Sequence, residues 1–447
     1  MRGNLTSGSV VGKVIYFSIP YMLAYFLQLF YGMADLFIIG QFCGVASTTA
    51  VADGSQVMHM ITVAIVGLAM GSTVAIGRAV GANDAKRAAR CVGNTITIFL
   101  ALSLVFMALL PFCASSIISI MSVPIEAVPA MSRYLMICFI GIPFITIYNI
   151  ISAVYRGLGD SKSPLYFAIL ACAVNIVLDY IFIGAMHMDA SGAACGTVFA
   201  QGISALVAFA AIMRRSGGAS PTARDFKPDR DAACEMLKVG VPIAFQDWLL
   251  QISFIAITVI ANMRGLNDAA AVGVVEKIIA VLFLVPLSML STTSALCAQN
   301  LGAGLEERAH ETLRWTVMLS VAWGVAVCFV MQFASETFVG LFTSDALVAS
   351  MGGEYMRGYI WDCILTGLHF NISGYFCACG KSWISFAHNI TSVVLARIPL
   401  AYLASINFAD TLYPMGLATP IGSSLSAIIC VVVYLRMKNK SKSRAAL

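Results

Sequence analysis

The sequence predicts an all-α membrane protein: twelve transmembrane helices in two six-helix bundles, related by a pseudo-two-fold axis along the membrane normal. Three observations carry that expectation. The first is composition, since 60% of the 447 residues are hydrophobic and only 11% are charged, against about 25% charged in a soluble domain. The second is a succession of apolar segments long enough to cross a bilayer. The third is an internal repeat at a nearly fixed offset.

Apolar segments of about 20 residues or more occupy 14–40, 47–77, 92–112, 131–154, 164–185, 190–213, 239–262, 269–297, 316–334, 356–378, 383–405 and 413–436. Polar turns such as Gly81-Ala82-Asn83-Asp84 and Gly157-Leu158-Gly159-Asp160 separate them. The first segment is too long for the apolar core of a signal peptide and no small-residue cleavage site follows it, so it reads as a span. One longer polar stretch, 214–238, holds Gly217, Gly218, Pro221 and Pro228. It reads as a cytoplasmic linker between an N-lobe at 1–213 (helices one to six) and a C-lobe at 239–447 (helices seven to twelve). Lys and Arg orient the chain. All of them fall on one side, Arg2, Arg215, Lys442 and Arg444 included, except Arg133, Arg264 and Arg357 opposite and Lys277 and Arg397 within spans. Both termini are therefore expected in the cytoplasm.

The repeat supports the two bundles. Ala79-Val80-Gly81-Ala82 before Lys86-Arg87-Ala88 matches Asn300-Leu301-Gly302-Ala303 before Glu307-Arg308-Ala309, at an offset of 221. Gly159-Asp160-Ser161 matches Gly380-Lys381-Ser382 at the same offset, and Ile19-Pro20 matches Val241-Pro242 at 222. Six helices per repeat is an even number, so both repeats point the same way across the membrane.

Asp35 is the carboxylate of the first apolar segment. Tyr21, Tyr25, Gln28, Tyr31 and Asp35 are spaced by threes and fours, which places them on one helical face. Acids inside a span usually face a bundle interior or a water-filled cavity. The rise from Val14 to Asp35 is roughly 32 Å, about the hydrocarbon thickness, so a solvated position at the outer headgroups is the alternative. In the fifth helix Asn175 and Asp179 are one turn apart, as are Thr197 and Gln201 in the sixth. Asp35, Asn175, Asp179 and Thr197 would make one oxygen-rich pocket. Hard oxygens and paired carboxylates suit H⁺ or Na⁺ equally, with Asp35 and Asp179 as the Na⁺-ligating acids. A structural hydrogen-bonded tie between helices is the other reading.

In the second lobe Gln246, Asp247 and Gln251 lie near the start of the seventh helix, Glu276 and Lys277 near the outer end of the eighth, Asp362 near that of the tenth, and Arg397 mid-span in the eleventh. Acids matched by bases within the bilayer suggest structural ion pairs. Gln28, Tyr31, Gln201, Gln246, Asp247, Gln251, Glu276 and Arg397 are the candidates for lining a substrate cavity. His369 and His388 read as packing residues. The 22 Met and the first-helix aromatics would make a pliable wall for varied apolar ligands.

No Walker A, HExxH or Gly-x-Ser-x-Gly motif occurs. No enzyme activity and no cofactor are expected, and transport would run on an ion gradient or passively. The thirteen Cys are scattered among apolar residues and read as small fillers rather than a metal or redox site. The net charge of +5 is no nucleic-acid signal.

Several segments, in order, resemble the multidrug and toxic compound extrusion (MATE) transporters over essentially the whole chain. They are Met33-Ala34-Asp35-Leu36-Phe37-Ile38-Ile39-Gly40, the Gly81-Ala82 turn, Arg156-Gly157-Leu158-Gly159-Asp160, Asn175-x-x-Leu178-Asp179-x-x-Phe182-Ile183, Gly240-Val241-Pro242, and Ala298-Gln299-Asn300-Leu301-Gly302-Ala303. Gly240–Asp247 and Val275-Glu276-Lys277 resemble the bacterial MepA-like subgroup. The resemblance implies a V-shaped pair of bundles that alternates between inward and outward openings. It implies a monomer in the bacterial cytoplasmic membrane that exports cationic, amphipathic, drug-like compounds in exchange for H⁺ or Na⁺. It also implies that Asp35, Asn175 and Asp179, with Thr197 by spacing, form the ion-linked site. NorM-type members carry an acid deeper in the tenth helix, where this chain has Thr366–Leu368, so coupling is expected in the N-lobe alone. Two other functions remain in view. A lipid-linked precursor flippase of the same superfamily would want a wide cationic cavity, and an ion channel would want a filter loop or charge ring.

Overall fold

The computed structural model describes residues 5–121, 123–214 and 221–445. Arg2, Arg215, Gly217, Gly218 and the side chains of Lys442 and Arg444, used above for orientation and for the linker, lie outside the described part. Among the described residues every regular element is a helix. These are α1 Val10–Phe42, α2 Val45–Gly81, α3 Ala85–Ile120, α4 Val128–Gly157, α5 Lys162–Asp179, α6 Ala190–Met213, α7 Arg230–Arg264 and α8 Leu266–Leu282. They continue as α9 Leu284–Gly302, α10 Glu306–Gly340, α11 Ala346–Tyr359, α12 Asp362–Ala378, α13 Ser382–Ser392, α14 Ile398–Asn407 and α15 Tyr413–Ala445. A π-helical turn extends α5 through Tyr180–Ala185, and another joins α13 to α14 through Val393–Arg397.

Most helices overrun the apolar segments that predict them. Polar first turns still form helix once they are capped, and α3 begins at Ala85 because Asp84 Oδ1 accepts from Arg87 N at 2.9 Å. Segment 269–297 is broken into α8 and α9, which meet at a 41° bend. Pro286 sits in the first turn of α9, where a missing N–H is tolerated. The span expected at 356–378 is also interrupted, as α11 and α12 with a break at Ile360-Trp361. Among the described residues ten helices are long and apolar enough to cross a membrane, and the α8–α9 pair makes an eleventh. α11 and α12 have 14 and 17 residues and are too short singly.

The chain forms two compact units. Tyr16–Ala244 makes up most of the first, and Phe245–Leu301 with Leu305–Leu447 most of the second. In the first unit α4 is the central helix, packed on α2, α3 and α6, with Met131, Leu135, Phe139 and Ile142 fully buried. Residues 230–238, part of the stretch read as linker, form the start of α7. That start belongs to the first unit. Gly71 of α2 and Gly240 of α7 allow the two backbones to touch, since a Cβ on either would overlap a carbonyl of the other helix, at Met236 and Leu68.

The described end of the linker is fastened to α3. Asn94 Nδ2 donates to the carbonyls of Asp225 and Lys227 at 3.2 Å each, and Asn94 Oδ1 accepts from Asp229 N at 2.7 Å. Thr97 Oγ1 donates to Phe226 O at 2.9 Å. In the second unit Asn371 of α12 plays a comparable part. Its amide donates to Ser320 Oγ of α10 at 2.9 Å, and its oxygen accepts from Thr293 Oγ1 of α9 at 2.8 Å.

Asp229 caps α7, accepting from Asp231 N at 3.0 Å and Ala232 N at 3.1 Å, with Arg90 Nη1 at 3.2 Å. The Ala232 amide first, then that of Asp231 and the Arg90 guanidinium, hold its carboxyl below the usual carboxylate range. A depressed folded value stabilises the cap fully above about pH 4, the unfolded range, and that stabilisation is lost as pH falls through the folded value. Hydrogen exchange at Asp231–Ala233, corrected for intrinsic rates, should stay slow down to that point and accelerate several-fold below it. Asp229→Ala should exchange fast at every pH.

Candidate functional site

The polar stripe of α1 meets α6 rung to rung. On α1, Tyr31 and Asp35 are one turn apart, and on α6 so are Thr197 and Gln201. Thr197 Oγ1 donates to Asp35 Oδ2 at 3.2 Å, and Gln201 Nε2 donates to the Tyr31 hydroxyl at 3.0 Å. α5 completes the cluster from the side. Asn175 Nδ2 lies 3.5 Å from Asp179 Oδ2, and both residues stand within hydrogen-bond range of the Asp35 carboxyl. Asp179 is the last α-helical residue before the π-turn, a distortion frequent at functional sites.

The cluster is buried and short of donors. Asp35 is 6% exposed, Asn175 1% and Asp179 0%. Asp35 is thus a buried acid, and the alternative of a solvated headgroup position falls. Asp35 Oδ1, Asp179 Oδ1, Asn175 Oδ1 and Gln201 Oε1 are buried with no hydrogen-bond partner among the described residues. Two neighbouring carboxyls can bond to each other only if one is protonated, or if a cation lies between them. An amide oxygen cannot take a proton at ordinary pH, so Asn175 Oδ1 needs a donor or a cation.

Space for the Asp179 carboxyl comes from Gly196 of α6. A Cβ there would overlap Asp179 Oδ1. Sequence reasoning passed over this glycine, although a Gly directly before the paired Thr197 was a readable signal. It also passed over Tyr148 of α4, which hydrogen-bonds Gln28.

The other candidates divide between the units. Gln28, half-buried, borders a cleft in the first unit. In the second unit Gln246 is buried and bonds the half-buried Asp247, while Gln251 is half-buried too. The ion pairs expected there do not form. Among the described residues no contact within 4 Å joins Glu276, Lys277, Asp362 or Arg397 to an opposite charge, and Lys277 is exposed. Hydroxyls contact three of these charges instead, while Asp362 Oδ1 and Arg397 Nε have no hydrogen-bond partner among the described residues. Asp362 Oδ2 accepts from Thr366 at 3.2 Å, Arg397 donates to Tyr359 OH at 3.2 Å, and Glu276 accepts from Thr258 at 3.5 Å. Arg397 also covers the Phe254 ring at 4.6 Å. A hydroxyl partner carries no charge, so charge counting along the sequence could not find it. His388 bonds Ser373 at 2.8 Å and Ser426 at 3.2 Å, as a packing residue would.

The MatE family model matches this chain twice, over residues 20–181 and 242–403, so each boundary moves by 222 residues. The chain belongs to the MatE family. This is a family of multi-pass membrane transporters, not of enzymes. Relatives agree along the whole length of the chain. The probable multidrug resistance protein YpnP of Bacillus subtilis is 26% identical over 97% of this chain and 96% of its own. The multidrug export protein MepA of Staphylococcus aureus is 22% identical over 96% and 95%, and a FAD transporter of Shewanella oneidensis 22% over 100% and 99%. Two solved structures share the fold. One is an outward-facing multidrug resistance MATE family transporter of the MOP superfamily, with a TM-score of 0.91 at 23% identity and 99% coverage of each chain. The other is a MATE protein in the bent conformation, with 0.92 at 23% identity over 100% of this chain and 99% of that one.

In this MatE chain Gly196→Ala must push the Asp179 carboxyl off its place without disturbing surface or fold. Dye efflux from cells should fall about tenfold, the equivalent of about 1.4 kcal/mol, at unchanged membrane yield. Full efflux in that variant would show that the position of the Asp179 carboxyl does not matter.

Proposed function

We propose that this chain is a secondary-active multidrug antiporter of the bacterial cytoplasmic membrane, with both termini in the cytoplasm. It exports cationic, amphipathic compounds in exchange for H⁺ or Na⁺ by alternating access. The convergence of Asp35, Asn175, Asp179 and Thr197 around oxygens that lack donors supports this reading. Protonation of one carboxyl, or entry of Na⁺ between the two, would complete the hydrogen bonding of α1, α5 and α6. A coupling ion moves an equilibrium only through unequal affinity for its two states. In this proposal the packing that holds the two carboxyls together binds the cation more tightly than the other packing, because the carboxyls repel when empty and share a cation when loaded.

The unpartnered carboxyl oxygens favour H⁺. The unpartnered Asn175 oxygen favours Na⁺, which would draw on two carboxylates, one amide oxygen and the Thr197 hydroxyl. The Shewanella relative named as a FAD transporter sets a flavin nucleotide as the second cargo to test. The buried acid pair supplies neither the filter loop nor the ring of charges that a passive channel would use. Arg397 and Lys277 are the intramembrane bases, too few for the cationic cavity of a lipid-linked precursor flippase.

Vesicle uptake under separately imposed H⁺ and Na⁺ gradients tests the proposal, with a cationic dye and FAD as alternative cargoes. The dye should move under one gradient, and Asp35→Asn should abolish that movement while the protein still reaches the membrane. Undiminished dye movement in Asp35→Asn refutes the assignment.

A further inference from the structure

A polar cleft inside the first unit is left over once the ion site is accounted for. Tyr21 and Gln28 of α1 border it on one side, and Tyr148, Asn149, Ser152 and Arg156 of α4 on the other. It begins one helical turn beyond Tyr31. Tyr148 and Asp35 both lie within electrostatic range of the Tyr31 hydroxyl, and Gln28 bonds Tyr148. From Asp35 back to Tyr21 the α1 face descends about 21 Å at 1.5 Å per residue. The polar groups therefore run from the buried acids to the end of the bundle at the α4–α5 turn.

Arg156 stands at that end. Its guanidinium lies 5.1 Å from the centre of the Tyr21 ring, and no carboxylate pairs with it among the described residues. An uncompensated cation beside a narrow polar cleft repels other cations. The second unit has no such feature at the corresponding places. At the offset of 221 that superposes the turn after α4 on the turn after α12, Arg156 becomes Cys377. The Asn149 amide donates to Ile145 O at 2.8 Å. Its oxygen takes no hydrogen bond from the described protein, and the residue borders the cleft.

We infer that this cleft is the path by which a proton leaves the Asp35–Asp179 pair for the α4–α5 end of the bundle, with Arg156 as its electrostatic gate. The inference deepens the coupling proposed above and rests on it. A carboxylic O–H of the pair gives its proton to the hydroxyl and water chain past Tyr31 and Tyr148. Each member accepts one proton and passes one on, so nothing is oxidised and the carboxylate is left behind. Arg156 bars free cations from entering backwards, which keeps the pair from leaking.

The test uses the purified full chain in liposomes with a pH-sensitive dye inside, an imposed membrane potential and no drug. Wild type should admit protons slowly. Arg156→Gln should raise the rate about tenfold, Arg156→Lys should leave it near wild type, and Arg156→Gln with Asp35→Asn should return it to the slow rate. Equal rates for Arg156→Gln and wild type, or a leak that survives Asp35→Asn, overturn the inference. Asn149→Leu keeps volume and charge while removing the lining oxygen, so it tests the path even if Arg156→Gln fails to fold. Gradient-driven dye uptake should then drop several-fold at unchanged dye affinity, and unchanged uptake overturns the path. Failure of the coupling itself is seen separately, as wild type that takes up no dye under either gradient.

Discussion

Asp35 and Asp179 are neighbouring carboxyls buried in a helical bundle, and nothing among the described residues donates to the free oxygen of either. An isolated acid at lipid depth costs about 2.5–3.5 kcal/mol on insertion scales, and a second one beside it adds repulsion. Such a pair persists only if the surrounding helices hold it and if a cation relieves it. The holding is visible. Thr197 and Gln201 of α6 bind two successive rungs of α1, Asn175 leans on Asp179, and Gly196 leaves room that any side chain would fill. Below this layer α4 packs against α2, α3 and α6 with fully buried aliphatic and aromatic residues, so the frame around the acids is stiff.

The second unit handles charge differently. Glu276, Asp362 and Arg397 each rest on a hydroxyl, and Arg397 lies within electrostatic range of both acids. A built-in guanidinium there offsets negative charge permanently, whereas among the described residues of the first unit no cation pairs with Asp35 or Asp179. Both Asp179 and Arg397 stand at the edge of a π-turn. Displaced by 222 residues, Asp179 falls on Ala401 and Arg397 on Asn175, and the π-turns at 180–185 and 393–397 do not superpose, so neither the charge nor the distortion is shared by the two halves.

Much of this was legible in the sequence. Span lengths, the offset near 222 and the stripe of Tyr31 and Asp35 follow from period and hydropathy, which are properties of one helix at a time. The pairing of the 31/35 and 197/201 ladders was also within reach, because each is a single turn on a known face. Contacts between helices were not. Gln28 with Tyr148, Glu276 with Thr258 and Arg397 with Tyr359 depend on how helices are rotated about their axes, and no spacing rule encodes that. The α8–α9 bend has no signature in hydropathy, because Pro286 falls inside an unbroken apolar run. The linker was overextended to 238 because 230–238 is polar, yet it is helical and lies against α2 through Gly240 and Gly71.

The claim that carries the account is that the two acids act as one cation-binding unit linked to drug binding. Linkage is reciprocal: if the cation weakens the drug, the drug must expel the cation. Counting the ions released when a saturating drug is added to the purified protein tests this most directly, with a pH indicator in weak buffer for H⁺ and a radiotracer for Na⁺. One cation per molecule should be released by the wild type, and none when either Asp35 or Asp179 is replaced by Asn. Release that persists in both single variants, or drug binding without any release from the wild type, would contradict the account.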